Sequence, residues 1–370
     1  MTTTDPTPII DTEHVLIGDA ERVAVAAALD SRDLSGAAAI VADYETELAT
    51  WFATDQAVAC SSGTAALHLA LLALDVSHGD EVIIAATAPA MTALPVLAVG
   101  AVPVVADTAS PTTFALDLTD LETKISPRTK AIIAVPMWGY PADPPALADA
   151  CRAWQLPLIE DAAQAHGTTM AGRYAGTTAT IGTFSTHTRK LLSTGEGGFC
   201  LTNDDALSTR LRELRNLGKP AGQAFGTRFG LNYKLNALAT ALGRAQLGRL
   251  HNRLHHRRAT LNSITDMITA QPGMAPFPVH PDGQANGYAA LLTTNGPARP
   301  VAERLAAAGV TSDPLRCHYR PLYHSPALAP FTPTVACRHA EQLCGTLVSI
   351  PSHEGVGPHD LDRIQAALRG

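Results

Sequence analysis

Between about residues 56 and 205, short runs rich in Val and Ile alternate with Ala/Leu-rich stretches of helical spacing. That alternation limits the fold more than any other feature of the chain. The runs EVIIAATA, AVPVVADT, KAIIAVPM, LPLIED and GFCLTND read as strands. Strands so uniformly apolar belong in a sheet covered on both faces. The stretch 65–74 sets Leu67, Leu71 and Leu74 along one helical face, and 145–154 does the same with Leu147, Ala150 and Cys151. With such crossover helices the pattern predicts an α/β fold built on a mostly parallel sheet.

Past Gly230 the pattern changes. A helical stretch from 236 to about 266 carries Leu238, Leu242, Ala245 and Leu250 on its apolar side. Its segment HNRLHHRR, 251–258, reads as a solvated face. Beyond it a strand (288–293), a helix (300–308) and a final helix (360–369) predict a small α+β domain. The 370 residues exceed the usual range of a single core. The expected division is a large domain with an N-terminal arm, 1–250, and a smaller C-terminal domain, 251–370, entered through the long linking helix.

The net charge of −7 is spread along the sequence, without a basic stripe for nucleic acid or a polybasic membrane patch. A small-molecule partner is expected. The six cysteines, Cys60, Cys151, Cys200, Cys317, Cys337 and Cys344, form no CxxC pair and lack zinc-ligand spacing. No metal site is therefore expected, and reduced thiols suit a cytoplasmic protein. MTTTDPTPIIDTEH has no basic segment followed by an apolar core, so the expectation is a soluble, unexported chain.

Three stretches hold candidate chemistry. In CSSGTAALHLALLAL a small-residue turn runs straight into a helix, whose first N–H groups and dipole favour an anion. Gly63 permits close approach there, and Thr64 adds a hydroxyl. In LPLIEDAAQAHG an apolar strand delivers Glu160 and Asp161 to the edge where open α/β sheets bind ligands. Adjacent strand residues face opposite sides, so one carboxylate faces the ligand, and Asp161, followed by Gln164 and His166, is the better candidate. In GTFSTHTRKLLSTGEGG, Lys190 stands between Ser185 and a glycine-rich turn. It is one of only five lysines: Lys124, Lys130, Lys190, Lys219 and Lys234.

An anion-binding helix start, a strand-end carboxylate and a lysine beyond it make the set that pyridoxal phosphate requires. The phosphate needs donors, the pyridine nitrogen an acidic partner, and the aldehyde an amine that can lose its proton. No GxGxxG follows a strand, so a nicotinamide site does not compete.

The motifs SSGTAALHLAL, GDEVI, IEDAAQAHG, FS followed by Lys190, GEGG and GLNYKLNALATALGRAQLGRL closely resemble the DegT/DnrJ/StrS family of sugar and aminocyclitol aminotransferases. The resemblance runs in order over about 34–250, with a weaker echo in RCHYRPLYHSPAL and LVSIPSHEGVGPHDLDRI. It implies a fold type I, pyridoxal-phosphate-dependent transferase with a seven-stranded sheet. It also implies a homodimer with shared active sites. Lys190 matches the family's Schiff-base lysine, Asp161 the partner of the pyridine nitrogen, and Gln164 the neighbour of the ring hydroxyl. Gly63, Thr64 and Ser185 match phosphate contacts, and Asn232 an asparagine that reaches the phosphate from the partner subunit. Relatives with histidine in place of the lysine are sugar dehydratases, so Lys190 favours amino transfer.

Two departures fall on the substrate side. Pro89, in IIAATAPAMTA, takes the place of an aromatic residue that stacks on the cofactor ring in the family. VPMWGYPAD replaces a VHLFG-like stretch, so Pro136 removes a polar side chain and Trp138 adds bulk. Pro89, Trp138, His166, His318 and Tyr319 are candidate pocket residues, with Arg320 beside the last two. The expected activity is amino transfer from glutamate or glutamine to a keto group of a nucleotide sugar, aminocyclitol precursor or related secondary-metabolite intermediate. Elimination, decarboxylation or carbon–carbon bond formation on the same cofactor is the alternative. A non-catalytic regulator is the third, which the lack of a DNA-binding segment disfavours.

Overall fold

A computed structural model describes residues 9–142, 144–332 and 336–370. Its large sheet is assembled from β1 (Gln56–Cys60), β2 (Glu81–Ala85), β3 (Val102–Ala106), β4 (Thr129–Ala134) and β5 (Leu158–Asp161). After the short β6 (Thr169–Met170) and β7 (Arg173–Tyr174), β8 (Ile181–Ser185) and β9 (Gly198–Thr202) complete it. The seven strands lie in the order β1-β9-β8-β5-β4-β2-β3. All pairings are parallel except those of β9, which runs against both neighbours. The five expected strands are all present. β8 is the strand leading to Lys190, and β1 is an addition to the set.

Side-chain alternation explains why the sheet needs two layers of helix. Val82 and Ile84 of β2, Ile133 of β4 and Ile159 of β5 pack into one core with Leu67 and Leu71 of the helix Gly63–Ala73. Ile83, Ile132 and Leu158 point the other way, against Leu121 of the helix Leu118–Lys124 and Leu147 and Cys151 of the helix Pro144–Ala153. Helices therefore cover both faces, as expected.

The long linking helix differs from expectation. It is two helices, Ala237–Gly248 and Leu250–Thr269, broken at Arg249. Asn236 caps the first, its Oδ1 accepting the Ala239 N–H at 3.0 Å. Gly248 is a poor helix former, and the Arg249 guanidinium is held by both carboxylate oxygens of Glu21 at 2.9 Å. HNRLHHRR is likewise not a uniformly solvated face. His251, His255 and His256 are exposed, but Arg253 and Arg257 are buried around Glu354. Arg257 and Arg253 override the effect of burial and hold the Glu354 carboxyl down at about 2.

In the smaller C-terminal domain, β10 (Met274–Pro276), β12 (Ala289–Thr294) and β13 (Leu347–Pro351) form an antiparallel sheet with β12 central, while β11 (Gly283–Gln284) crosses to pair with β6. The expected strand and the expected helices, Arg299–Ala307 and Pro358–Arg369, are there, and β13 is new. The N-terminal arm docks on this domain: Ile10 N–H donates to Gly309 O at 2.8 Å, and Thr311 N–H to Ile10 O at 3.0 Å. Among the described residues no helix is long and apolar enough to cross a membrane.

Candidate active site

The C-terminal ends of β4, β5 and β8 and the start of the helix Gly63–Ala73 surround a cavity of about 730 Å³. Gly63, Thr64, Pro89, Trp138, Asp161, Gln164, Ser185, Lys190 and Tyr319 line it. The structure thus brings together most of the residues singled out from the sequence.

At the helix start, Ser62 is the cap, its Oγ accepting the Ala65 N–H at 3.0 Å. The N–H groups of Gly63 and Thr64 precede the helix's internal bonding and remain available to an anion. Gly63 is fixed by packing rather than by backbone angle. A Cβ there would stand 2.6 Å from the Cβ of Ser185, so only glycine lets the end of β8 meet the helix start. A hydroxyl and free backbone donors thereby share one corner.

Asp161 is buried at the end of β5, with Thr92 Oγ1 donating to its Oδ2 at 2.6 Å and Ala163 N–H to its Oδ1 at 3.3 Å. Burial raises its pKa, opposed by these two bonds and by Lys190. Glu160 does not line the cavity. It is buried, accepts the Gly176 N–H at 2.8 Å, and burial pushes its carboxyl up to about 7. Of the two carboxylates it is Asp161 that lines the cavity, on the opposite side from Glu160 as strand alternation predicts.

Lys190 lies on the turn after β8, its N–H bonded to His187 O at 2.8 Å. Thr186 and Thr194, joined hydroxyl to hydroxyl at 2.6 Å, tie the two sides of that turn. Its Nζ stands 5.7 Å from the centre of the Tyr288 ring. Burial pushes its ammonium down to about 8 against the pull of Asp161 and Asp313, and Arg189 adds to the fall. An amine so placed is available in its neutral form near neutral pH.

Gln164 accepts the Trp138 backbone N–H at 2.6 Å. Trp138 is buried and left-handed, φ 49° and ψ 23°, a conformation that costs a bulky residue about 1–3 kcal/mol. Its ring meets Tyr319 edge-on at 4.8 Å, and the Tyr319 hydroxyl donates to Thr87 O at 2.7 Å. Trp138 is thus core and cavity wall at once. Pro89 caps the helix Ala90–Ala98 and faces the cavity.

Four residues named from the sequence fall outside the cavity. His166 does not reach it. Fully buried, with both ring nitrogens unpartnered, it packs edge-on against Phe184 at 5.2 Å and Phe199 at 6.0 Å. Burial lowers its imidazole to about 3, the charges of Lys190 and Arg253 adding to the effect. That inward orientation is not visible in the motif alone. His318 and Arg320 are exposed and off the cavity wall, though Tyr319 between them is on it. Asn232 is exposed and outside the cavity of its own chain. Conversely, Glu13, Arg189, Tyr288 and Asp313 line the cavity without having been chosen. The Thr92 hydroxyl, inside APAMTA, could have been found from its place beside Pro89.

A model of the DegT/DnrJ/EryC1/StrS aminotransferase family matches residues 16–369, and the chain belongs to this family. It is 39% identical over 198 residues to GDP-perosamine synthase of Caulobacter vibrioides, covering 54% of this chain and 53% of the relative. Over 162 residues it is 45% identical to the L-glutamine:2-deoxy-scyllo-inosose aminotransferase of Micromonospora echinospora, covering 44% of this chain and 38% of the relative. The chain spans about half, or less, of the length of these curated relatives. The solved structure of the aminotransferase TlmJ from Streptoalloteichus hindustanus superposes with a TM-score of 0.90 at 27% identity, over 98% of both chains. The fold is that of the fold type I aminotransferases.

The family depends on pyridoxal phosphate, and the donor set fits it. Free N–H groups at a helix start beside the Ser185 hydroxyl suit a phosphate, and a buried carboxylate held by Thr92 suits a pyridinium nitrogen. An amine at about 8 suits a lysine that must bond an aldehyde.

Proposed function

We propose that the chain is an aminotransferase that moves an amino group from glutamate or glutamine to a keto group of a nucleotide sugar, aminocyclitol precursor or related secondary-metabolite intermediate. The observation that carries the reading is Lys190, an amine at about 8 in the same cavity as the buried Asp161. When bound, pyridoxal phosphate supplies an electron sink for a carbanion beside nitrogen. Gly63, Thr64 and Ser185 hold its phosphate, and Asn232 of the partner subunit of a homodimer joins them. Asp161 keeps the ring nitrogen protonated, and Gln164, fixed by the Trp138 N–H, orients the ring hydroxyl. Lys190 Nζ takes the proton from the donor's α-carbon and later returns one to the acceptor carbon, one positioned group serving as base and then acid. The protein acts in the cytoplasm.

The test is the visible spectrum of the cofactor-loaded protein with L-glutamine or L-glutamate, alongside Lys190→Ala. The expected result is conversion of the long-wavelength band by a donor, with no such band in the variant. A wild-type band that no amino donor converts overturns amino transfer. It would favour other chemistry on the same cofactor, the reading that Pro89 in the cavity wall supports.

A further inference from the structure

An amino-acid donor brings a carboxylate into a cavity that must next accept an uncharged keto group, so the charges on the wall decide how both fit. Lys190 and Arg189 line it, together with His187, whose Nε2 lies 3.7 Å from Glu196. Lys190 is committed to the cofactor. Arg189 meets one carboxylate, Glu13, through a single long contact, Nε to Oε2 at 3.3 Å. Its two terminal nitrogens have no partner among the described residues, which leaves a planar fork free to take a carboxylate bidentately.

Glu13 is not a loose surface side chain. Its neighbour Thr12 is buried and donates through Oγ1 to Asp313 at 3.0 Å, while His14 on its other side stacks on His353 at 4.4 Å. The arm is further pinned by its backbone bonds to Gly309 and Thr311. Glu13 is thus delivered to Arg189 by an anchored segment. The other wall carboxylates face other partners: Asp313 faces Arg316 at 2.7 Å, Asp161 faces Thr92 at 2.6 Å, and the exposed Glu196 faces the His187 ring at 3.7 Å.

We propose that Arg189 is the docking group for the carboxylate of the amino donor, and that Glu13 is its resident counter-ion, displaced when the donor binds and restored when the keto-acid product leaves. The inference rests on the aminotransferase reading and names the binding residue for one of its two substrates. Because both partners are half-exposed, the exchange is an even trade of ion pairs and weakens with salt.

The experiment is calorimetric titration of the cofactor-loaded protein with glutarate, a five-carbon dicarboxylate without an amine to transfer, with glutaramide as the uncharged control. Wild type should bind glutarate and not glutaramide. Arg189→Gln should weaken glutarate binding at least tenfold, Arg189→Lys should fall between, and Glu13→Gln should tighten it severalfold by removing the competitor. Unchanged affinity in Arg189→Gln, weaker binding in Glu13→Gln, or no wild-type binding overturns the proposal. Should Arg189→Gln fail to fold, the sign of the Glu13→Gln effect decides. Spectral conversion by an amino donor is read separately. Conversion with Arg189-independent binding sinks this inference alone, whereas no conversion sinks the activity beneath it.

Discussion

The cavity has a floor and a rim, built by different rules. The floor, Gly63, Thr64, Asp161, Gln164, Ser185 and Lys190, comes from strand ends and one helix start within a single sheet. Asp161 and Ser185 are buried, and Asp161 and Gln164 are bonded to residues of the same domain. The rim, Glu13, Pro89, Arg189, Asp313 and Tyr319, is gathered from the N-terminal arm, two turns and the C-terminal domain, and much of it faces solvent. A cofactor shared by a whole family needs a rigid floor, whereas the substrate that distinguishes a member meets the rim. Changes in the floor should therefore alter cofactor binding and reactivity, and changes in the rim should alter substrate choice.

The largest effect that could break this contrast is at Lys190. In the cofactor-free protein its neutral fraction should rise through pH 8 rather than near 10.5, so at pH 8 it should react with an amine-directed reagent about a hundredfold faster than an ordinary lysine. The sign for stability follows. The unfolded chain binds more protons between pH 8 and 10.5, so this group's contribution to stability rises with pH across that window. Reactivity that climbs only near pH 10.5 would mean the floor does not shield its lysine. Next, Asp161→Ala should weaken cofactor binding by about 10- to 100-fold, as loss of a charged hydrogen bond of about 1.5–3 kcal/mol implies. Thr92→Val, which removes only the bond that holds Asp161, should weaken it about fivefold. Equilibrium dialysis would measure both, and equal losses would show that Thr92 acts on more than Asp161.

Gly63→Ala places a methyl group against Ser185 and should destabilise the fold by about 1–3 kcal/mol, read as a lower melting temperature. An unchanged melting temperature would show that floor and helix start are not tightly packed. The smallest effect sharpens the boundary between the regions. Pro89→Tyr should tighten cofactor binding by about 0.5–1.5 kcal/mol if the wall at Pro89 belongs to the floor. A change in acceptor preference without a change in cofactor affinity would assign it to the rim.

Four residues of the floor obey local rules legible in the sequence, whereas the roles of Gln164 and Ser185 come only with the family resemblance. Scarce lysine picked out Lys190, strand alternation separated Asp161 from Glu160, and a small-residue turn before a helix marked Gly63 and Thr64. The rim follows no such rule. Glu13 gains its place from anchors on either side of it, and Arg189 was hidden by the importance of its neighbour. The linking helix shows the same limit: HNRLHHRR has the spacing of a solvated face, yet one glutamate, Glu354, 101 positions from Arg253, draws Arg253 and Arg257 inside. His166 differs in the opposite way: its motif places it beside the site, but its ring faces the aromatic core. Local chemistry can be read from letters, whereas pairings made across the chain require the fold.

The contact between Thr12 and Asp313 joins residues 301 positions apart, and that separation sets an order of events during synthesis. The floor closes entirely between Ser62 and Gly198, so its parts are available long before the ribosome reaches the C-terminal domain. The rim cannot close until almost the whole chain has emerged, and the entropy of bringing such distant segments together is met last. A nascent chain should therefore become able to hold its cofactor before it can tell one substrate from another, and selectivity should be the final property that folding confers.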